Sequence, residues 1–287
     1  MIISNLQRVA AIASVATLGL GATAASAQDM PELVINDEIA ITTHAPAPAY
    51  LENLDEVISG WVFRSTETQA LQMDDFDNPG MIFVDKAIDA WDKVEGTAGK
   101  SCAACHTGGP EEFAGLRATL PKWNEEKQAL YTMEDYINEC RTERMGAEAW
   151  KWSGADMTAM NALISLQSRG MTINVATDGP VADLWEQGKE IYYTRVGQLD
   201  LSCANCHEDN YGTMIRADRL SQGQVNGFPT YRLKNAKLNS IQGRFKGCMK
   251  NVRATPYKEG SEEFHALQLY VASRGNGLTV ESPSVRN

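Results

Sequence analysis

The chain has 287 residues, and its 26 lysine and arginine residues are outnumbered by 37 aspartate and glutamate residues, which gives a formal net charge of −11. A content of 43% hydrophobic and 22% charged residues is typical of a globular protein and excludes a disordered or collagen-like chain. The negative charge argues against nucleic-acid binding, and the length suits one large domain or two ordinary ones.

Residues 1–27 have the pattern of a secretory signal peptide. Arg8 precedes an apolar stretch from Val9 to Leu20, and Ala25-Ser26-Ala27 provides small residues for cleavage. The stretch is too short to cross a bilayer, and no later stretch is long enough for a membrane helix. We therefore expect no membrane span and a mature protein that starts at Gln28 in the periplasm. An uncleaved N-terminal anchor is the alternative.

The next part of the chain predicts an extension followed by helices. Residues 28–80 are rich in proline and turn residues in two places and predict a partly irregular extension packed on the first domain. Strict two-residue alternation is almost absent after it, so we expect a mainly α fold. Capping signals and helical periodicity predict, in chain order, helices at Phe83–Val94, from Pro121 through Cys140, after the capping box Ser153–Asp156, at Asp183–Tyr193, and from Glu262 to Arg274.

Three landmarks occur twice in the same order. Ser-Cys-Ala-Ala-Cys-His at 101–106 is answered by Ser-Cys-Ala-Asn-Cys-His at 202–207, 101 residues later. A lone cysteine follows each motif, Cys140 in the first half and Cys248 in the second, and an Arg-Gly pair closes each half at 169–170 and 274–275. The repeat predicts two tandem copies of one domain, residues 81–175 and 176–287, joined near Met171–Gly179.

Cys-x-x-Cys-His is the attachment signature of a c-type haem, in which two thiols bond the porphyrin edge and the histidine ligates the iron. A zinc site or a redox dithiol is the alternative for a bare Cys-x-x-Cys. Two copies on an exported, helical chain favour haem. We therefore expect two tandem class I cytochrome c-like domains with two covalently bound haem c groups. The attachment residues are Cys102 and Cys105 with His106, and Cys203 and Cys206 with His207.

The iron of a c-type haem usually takes a second axial ligand, commonly methionine or histidine. Only Cys140 and Cys248 occupy matching places in both repeats, so we expect them to be thiolate ligands of the first and second haem. A disulfide between them is the rival interpretation, and it requires α carbons within about 7 Å of each other. The remaining candidates are Met145, Met157, Met160, Met214, Met249, His44 and His265.

The surroundings of the two lone cysteines differ in charge. From Arg219 to Lys258 there are 40 residues with nine basic side chains and no aspartate or glutamate, whereas the charges around Cys140 are mixed. Positive charge favours the thiolate form of Cys248 and attracts anions, so sulfur oxyanions are candidate substrates. The basic residues nearest in sequence are Arg244 and Lys246, expected in direct contact, and Lys250 and Arg253, expected to steer substrate.

On these residues the sequence resembles the SoxA family, the diheme subunits of the SoxAX cytochromes of bacterial thiosulfate oxidation. The resemblance rests on both Cys-x-x-Cys-His motifs, on Cys140 and on the segment Arg244-Phe-Lys-Gly-Cys248-Met-Lys, and it covers essentially the whole mature chain. Part of the family lacks the first haem. Because the first motif is intact here, the chain resembles the diheme branch.

The resemblance implies that His106 and Cys140 ligate the first haem and that His207 and Cys248 ligate the second. It implies that Cys248 is the catalytic residue, can exist as a persulfide, and has Arg244 beside it to bind substrate. The implied activity is that of an L-cysteine S-thiosulfotransferase, which joins thiosulfate to a cysteine of the SoxYZ carrier as a cysteine S-thiosulfonate. The two electrons pass to a SoxX-like monohaem cytochrome c subunit and then to a soluble cytochrome c.

Two other functions remain open from the residues. A plain diheme electron carrier predicts methionine or histidine distal ligands and no activity on sulfur compounds. A thiosulfate dehydrogenase couples two thiosulfates to tetrathionate and needs no carrier protein. A diheme peroxidase is a weaker candidate, because it requires an open or histidine-ligated iron. Dependence on a carrier protein separates the two thiosulfate reactions.

Overall fold

The structure, a computed structural model, describes residues 32–287, so the predicted signal peptide lies outside the described residues. None of the helices in this part of the chain is long and apolar enough to cross a membrane. The helices are α1 (Thr66–Met73), α2 (Met81–Trp91), α3 (Met133–Glu139), α4 (Ala155–Leu166), α5 (Ala182–Tyr193), α6 (Cys203–His207), α7 (Ile241–Asn251) and α8 (Glu262–Ser273). The strands are β1 (Leu33–Ile35), β2 (Ile39–Ile41), β3 (His44–Pro46), β4 (Glu56–Ile58), β5 (Lys122–Asn124), β6 (Ala129–Tyr131), β7 (Met214–Ile215), β8 (Asp218–Arg219), β9 (Thr230–Arg232), β10 (Lys237–Asn239) and β11 (Ser284–Arg286).

The expectation of a mainly α fold needs a correction, because helices of all kinds make up 36% of the described residues and are accompanied by small sheets. Four sheets are two-stranded hairpins, β1–β2, β3–β4, β5–β6 and β7–β8, and one has three strands in the order β10-β9-β11. Each strand has only two or three residues. Alternation of apolar and polar residues cannot be recognised over so short a stretch, which is why the sequence pattern missed them.

The helix predicted from Pro121 through Cys140 is wrong in its first half. Residues 122–131 form the hairpin β5–β6, and helix α3 begins only after Thr132. Asp135 accepts hydrogen bonds from the backbone N of Thr132 (2.7 Å) and from its hydroxyl (2.9 Å), which defines the helix start. The second copy repeats this order, with β9–β10 followed by α7, which Ser240 caps by accepting from Gly243 N (3.1 Å).

Each copy is built on a pair of packed helices. Helix α2 packs against α4 in the first copy, and α5 packs against α8 in the second. At the second crossing the backbones approach closely, because a Cβ on Gly188 would collide with the carbonyl oxygen of Ala266 and lie 2.9 Å from Tyr270 Cβ. The equivalent position in α2, 101 residues earlier, is the small Ala87, which is buried.

The extension, predicted to pack on the first copy, makes contacts with both copies. Ile58 N donates to Gln222 Oε1 (2.8 Å), Ser59 Oγ donates to Glu281, and Gln72 Nε2 donates to Glu281 Oε2 (3.0 Å). These buried partners belong to the second copy and to the C-terminal segment. An ion pair between Asp75 and Arg169 (2.8 Å) ties the extension to the first copy as well. Such contacts join residues far apart in the chain, so no local sequence pattern predicts them.

The two copies share packing and polar contacts. Ala118 and Leu130 of the first copy belong to the hydrophobic core of the second. The buried Arg117 guanidinium donates to the carbonyl oxygens of Val225 (2.7 Å) and Phe228 (3.3 Å). The described residues accordingly group as one compact unit, and the boundary between residues 175 and 176 stays a prediction.

Candidate functional site

The second Cys-x-x-Cys-His motif folds as the short helix α6. Ser202 caps it: its hydroxyl accepts from Asn205 N (3.3 Å), and the Asn205 side chain accepts from Ser202 N (3.0 Å). Residues three and four apart share one face of a helix. The thiols of Cys203 and Cys206 therefore lie on the same side as the imidazole of His207.

The imidazole of His207 is held in one orientation by residues 221–223. Its Nδ1 lies 2.7 Å from the carbonyl oxygen of Ser221. A carbonyl oxygen only accepts hydrogen bonds, so Nδ1 carries the proton and Nε2 presents its lone pair to a ligand. Gly223 packs directly on the ring, since a Cβ at this position would lie 2.9 Å from His207 Cγ. This arrangement fits an axial ligand of iron.

Cys248 lies in helix α7, near enough to His207 and to Arg244, one turn earlier in the helix, for both side chains to act on its thiol. Burial by itself would raise the pKa of the Cys248 thiol. Arg244, His207 and Arg232 outweigh burial and lower this pKa to about 7. Cys248 therefore forms its thiolate at a lower pH than an ordinary cysteine does. The thiolate is the form that acts as nucleophile and metal ligand.

These side chains fit a covalently attached haem c. Two thiols of one motif could attach the porphyrin edge, and the His207 imidazole and the Cys248 thiolate could ligate the iron. Burial and the neighbouring thiols raise the pKa of Cys203 to about 12, and burial and Cys248 raise that of Cys206. Among these three thiols, only that of Cys248 has a pKa lowered towards the thiolate form.

The first motif has a similar backbone turn but a different partner for its histidine. His106 N donates to Cys102 O (2.9 Å), and the imidazole Nδ1 lies 3.3 Å from Glu112 Oε2. The ring packs against Phe113 and Trp91, with ring centroids 4.8 and 5.8 Å away. A carboxylate here has the role that a backbone carbonyl has in the second motif.

Cys140 lies at the end of α3, where the chain makes one π-helical turn that ends at Arg144. It acts electrostatically on the thiols of the first motif, which places it beside that motif. Burial and the adjacent Glu139 raise the pKa of the Cys140 thiol, the reverse of the shift at Cys248. The charge difference between the two sites, predicted from sequence, is therefore present in the structure.

In each copy, a glycine before the Cys-x-x-Cys-His motif packs closely against the backbone after the helix that carries Cys140 or Cys248. Gly96 and Gly197 have φ angles of +71° and +72°, and a Cβ on either would collide with a carbonyl oxygen, that of Met145 or of Val252. These carbonyls directly follow the turns that end the cysteine helices. The loop before each motif can therefore approach the end of the following cysteine helix only because its residue there is glycine, which has no side chain.

The disulfide alternative finds no support. All six cysteines lie within the described residues, and none forms a disulfide bond. Cys140 and Cys248 each lie beside the motif of their own copy. Within residues 32–287, no group of three or more histidine, cysteine, aspartate or glutamate side chains is arranged to hold a metal ion by itself.

The other candidate ligands have different surroundings. Met145, Met157 and Met160 are buried, Met249 packs on the core of the second copy, Met214 is exposed, His44 pairs with Glu56 (3.2 Å), and His265 pairs with Asp135 (2.8 Å).

The four basic residues singled out from sequence do not all meet Cys248. Arg244 acts on its thiol electrostatically, whereas Lys246 Nζ pairs with Glu259 (3.5 Å). Lys250 and Arg253 are exposed at the end of α7. The expected direct contact of Arg244 stays a prediction, while Lys246 is ion-paired with Glu259. The steering roles of Lys250 and Arg253 stay predictions.

Sequence reasoning missed three residues of the two sites. Ser221 and Glu112 orient the histidines, and Arg232 acts on Cys248 from strand β9. Arg232 was visible only as one of nine basic residues in a long tract. A backbone acceptor such as Ser221 O has no signal in the sequence at all.

Comparisons with a family model, with curated relatives and with a solved structure all indicate the same family. A family model described as the cytochrome c domain of SoxA/TsdA matches residues 86–173 and 187–280. The chain is 58% identical to the L-cysteine S-thiosulfotransferase subunit SoxA of Rhodovulum sulfidophilum over 93% of each chain, and 55% identical to that of Paracoccus pantotrophus over 94% of this chain and 95% of the relative. A chain in the crystal structure of SoxXA from P. pantotrophus superposes with a TM-score of 0.87 at 56% identity, covering 90% of this chain and 98% of that one.

Proposed function

The chain belongs to the SoxA/TsdA cytochrome c family, and from this premise we propose that it is the SoxA-type subunit of an L-cysteine S-thiosulfotransferase. The observation that supports this most directly is Cys248, whose pKa is lowered to about 7 against the effect of burial by Arg244, His207 and Arg232. A plain electron carrier has no need of a nucleophilic sulfur in positive surroundings.

The proposal includes two haem c groups. Cys102, Cys105 and His106 hold the first with Cys140, and the second copy uses the equivalent four residues described above. A bound haem supplies one-electron oxidation and reduction to the protein. The carboxylate and the carbonyl that hold the two histidines fix which nitrogen is available to the iron.

The reaction joins thiosulfate to a carrier cysteine with loss of two electrons. The terminal sulfur of thiosulfate bonds to the cysteine sulfur, the thiol proton is released, and a cysteine S-thiosulfonate forms. Arg244 binds the oxyanion, since a guanidinium offers a planar pair of donors to such groups. Cys248 is the catalytic sulfur, and as a persulfide it can hold the thiosulfate-derived group transiently.

The partners follow from the same proposal. The crystal structure that this chain resembles is that of a SoxXA complex, and we infer a heterodimer with a SoxX-like monohaem cytochrome c. A SoxYZ-type carrier supplies the cysteine, and a soluble cytochrome c receives the electrons. The signal pattern of residues 1–27 places the complex in the periplasm. The first haem has no evident substrate role, and we assign it as an electron relay.

Intact mass and peptide mapping of the purified complex test the site. We expect two haems on this chain and a Cys248 peptide heavier by one sulfur atom. A thiosulfate assay with cytochrome c, run with and without the carrier protein, tests the reaction. Turnover that needs the carrier supports the transferase, and tetrathionate formed at full rate without it would assign the chain to thiosulfate dehydrogenation instead.

A further inference from the structure

The residue that follows His207 carries a buried carboxylate. Glu208 ends helix α6, and only 3% of its side chain is exposed. Its Oε1 accepts from Tyr193 OH (2.8 Å) and from the Arg274 guanidinium, and its Oε2 accepts from Asn53 Nδ2 (3.2 Å). These donors belong to the end of α5, the end of α8 and the extension. Glu208 therefore ties the second motif to three separate parts of the chain.

The arginine that pairs with this carboxylate is also buried. Arg274 has no exposed side-chain surface, and its guanidinium carbon lies 4.4 Å from the centroid of the Tyr192 ring. Within residues 32–287, its Nε and one of its terminal nitrogens have no hydrogen-bond partner, so Glu208 is the group that compensates its charge. A buried ion pair seldom adds net stability over a well-packed apolar pair, because both ions lose their water. Stability alone therefore does not explain this pair.

Among the described residues, the first copy lacks this link. Thr107 follows His106 and is exposed to solvent. The arginine that corresponds to Arg274 in the repeat is Arg169, which pairs instead with Asp75 of the extension (2.8 Å). None of the hydrogen bonds of that pair within residues 32–287 reaches the first motif. A buried carboxylate next to the motif histidine is thus a feature of the second copy alone.

We propose that Glu208 is a positioning residue for His207. Its donors fix the backbone directly after the imidazole, while the carbonyl oxygen of Ser221, 2.7 Å from Nδ1, fixes the ring itself. Contacts of this outer kind orient the groups that ligate a metal. His207 is therefore held both through its backbone and through its ring. The inference rests on the proposed function, in which the second copy carries the catalytic centre, and it names what keeps a ligand of that centre in place.

Electron paramagnetic resonance and redox titration of the haem-loaded complex test this role. The g values of a ferric haem respond to the geometry of its axial ligands, and its reduction potential responds to nearby charge. Glu208→Gln leaves Arg274 buried and unpaired, so we expect shifted g values and a raised potential at the second haem, with the first haem unchanged. Tyr193→Phe and Asn53→Ala each remove one neutral donor and should shift the g values of the second haem without raising its potential.

Asp75→Asn is the matched control, because it breaks the ion pair of the corresponding arginine in the first copy. It should lower stability in urea unfolding and leave the g values of both haems unchanged. If Glu208→Gln does not fold, Tyr193→Phe and Asn53→Ala decide the question. Unchanged g values of the second haem in every folded variant would mean a purely structural role and would overturn the inference, whatever the loss of stability. The same shift in Asp75→Asn would overturn it too.

Thiosulfate kinetics separate this inference from the proposed function. With the carrier present, Glu208→Gln should lower kcat and change KM for thiosulfate less than twofold, because the buried carboxylate offers no surface to substrate. If the wild-type complex does not turn over thiosulfate but Glu208→Gln shifts the g values of the second haem alone, the proposed function fails and the positioning role stands. Normal wild-type turnover with unmoved g values in the variants would refute the role of Glu208 and leave the proposed function intact.

Discussion

Replacing Gly197 with alanine tests the contact that joins the second motif to the helix of Cys248. Gly197 has a φ of +72°, and a Cβ there would collide with Val252 O and lie 2.7 Å from Ala254 N. Both atoms belong to backbone, which cannot move aside as the end of a flexible side chain can. The variant must therefore separate the loop at 196–201 from the end of α7.

The expected cost has two parts. A left-handed backbone costs a residue with a Cβ roughly 1–2 kcal/mol, and forcing an extra methyl group into a packed site costs about 1–3 kcal/mol more. Gly212 has a similar φ of +80° but no atom within 4 Å of its would-be Cβ, so Gly212→Ala should show only the first part. We expect Gly197→Ala to lower the free energy of unfolding by about 2–5 kcal/mol and Gly212→Ala by about 1–2 kcal/mol.

Urea unfolding of the haem-loaded protein measures the two costs, and low-temperature spectra report the ligation of each haem. Gly197→Ala should perturb the second centre alone, and Gly96→Ala, with the equivalent φ and collision in the first copy, should perturb the first alone. Equal destabilisation by Gly197→Ala and Gly212→Ala, or changes at both centres in one variant, would show that this contact does not position the lone cysteines.

Three further outcomes follow from the site. Cys248→Ser should abolish thiosulfate turnover, whereas Cys140→Ser should keep most of it and change only the first centre; similar losses in both would contradict the assignment of catalysis to the second copy. Arg244→Gln should raise KM for thiosulfate about tenfold, and Lys246→Gln less than twofold because its charge is paired, so a larger effect of the lysine would reverse the assignment. Burial opposes protonation of His265, but its aspartate partner outweighs burial and raises its pKa. This pair should stabilise the fold fully below the unfolded pKa of about 6.5 and lose that contribution as pH rises through the higher folded value, which unfolding measurements from pH 5 to 9 on wild type and His265→Asn can show.

The repeat and the chemistry of the motifs could be predicted because they depend on residues close together in the chain. Helices with clear capping and periodicity were found close to their true positions, as at Asp183–Tyr193 and in the last helix from Glu262. The hairpins β5–β6 and β9–β10 were missed because three residues are too few to establish a period. The capping pair of Thr132 and Asp135 was visible in the sequence and would have corrected the start of α3.

The sequence by itself therefore determined the family, the two copies and the residue types available for haem attachment, since each is a short pattern of chemically distinctive side chains. It also located the excess of positive charge near Cys248. Only the tertiary structure decided which charges reach the sulfur: it brought Arg232 to Cys248 and paired Lys246 with Glu259 instead. A linear interval constrains the distance between side chains only within one helix or strand, and these residues meet through turns and through packing between separate elements.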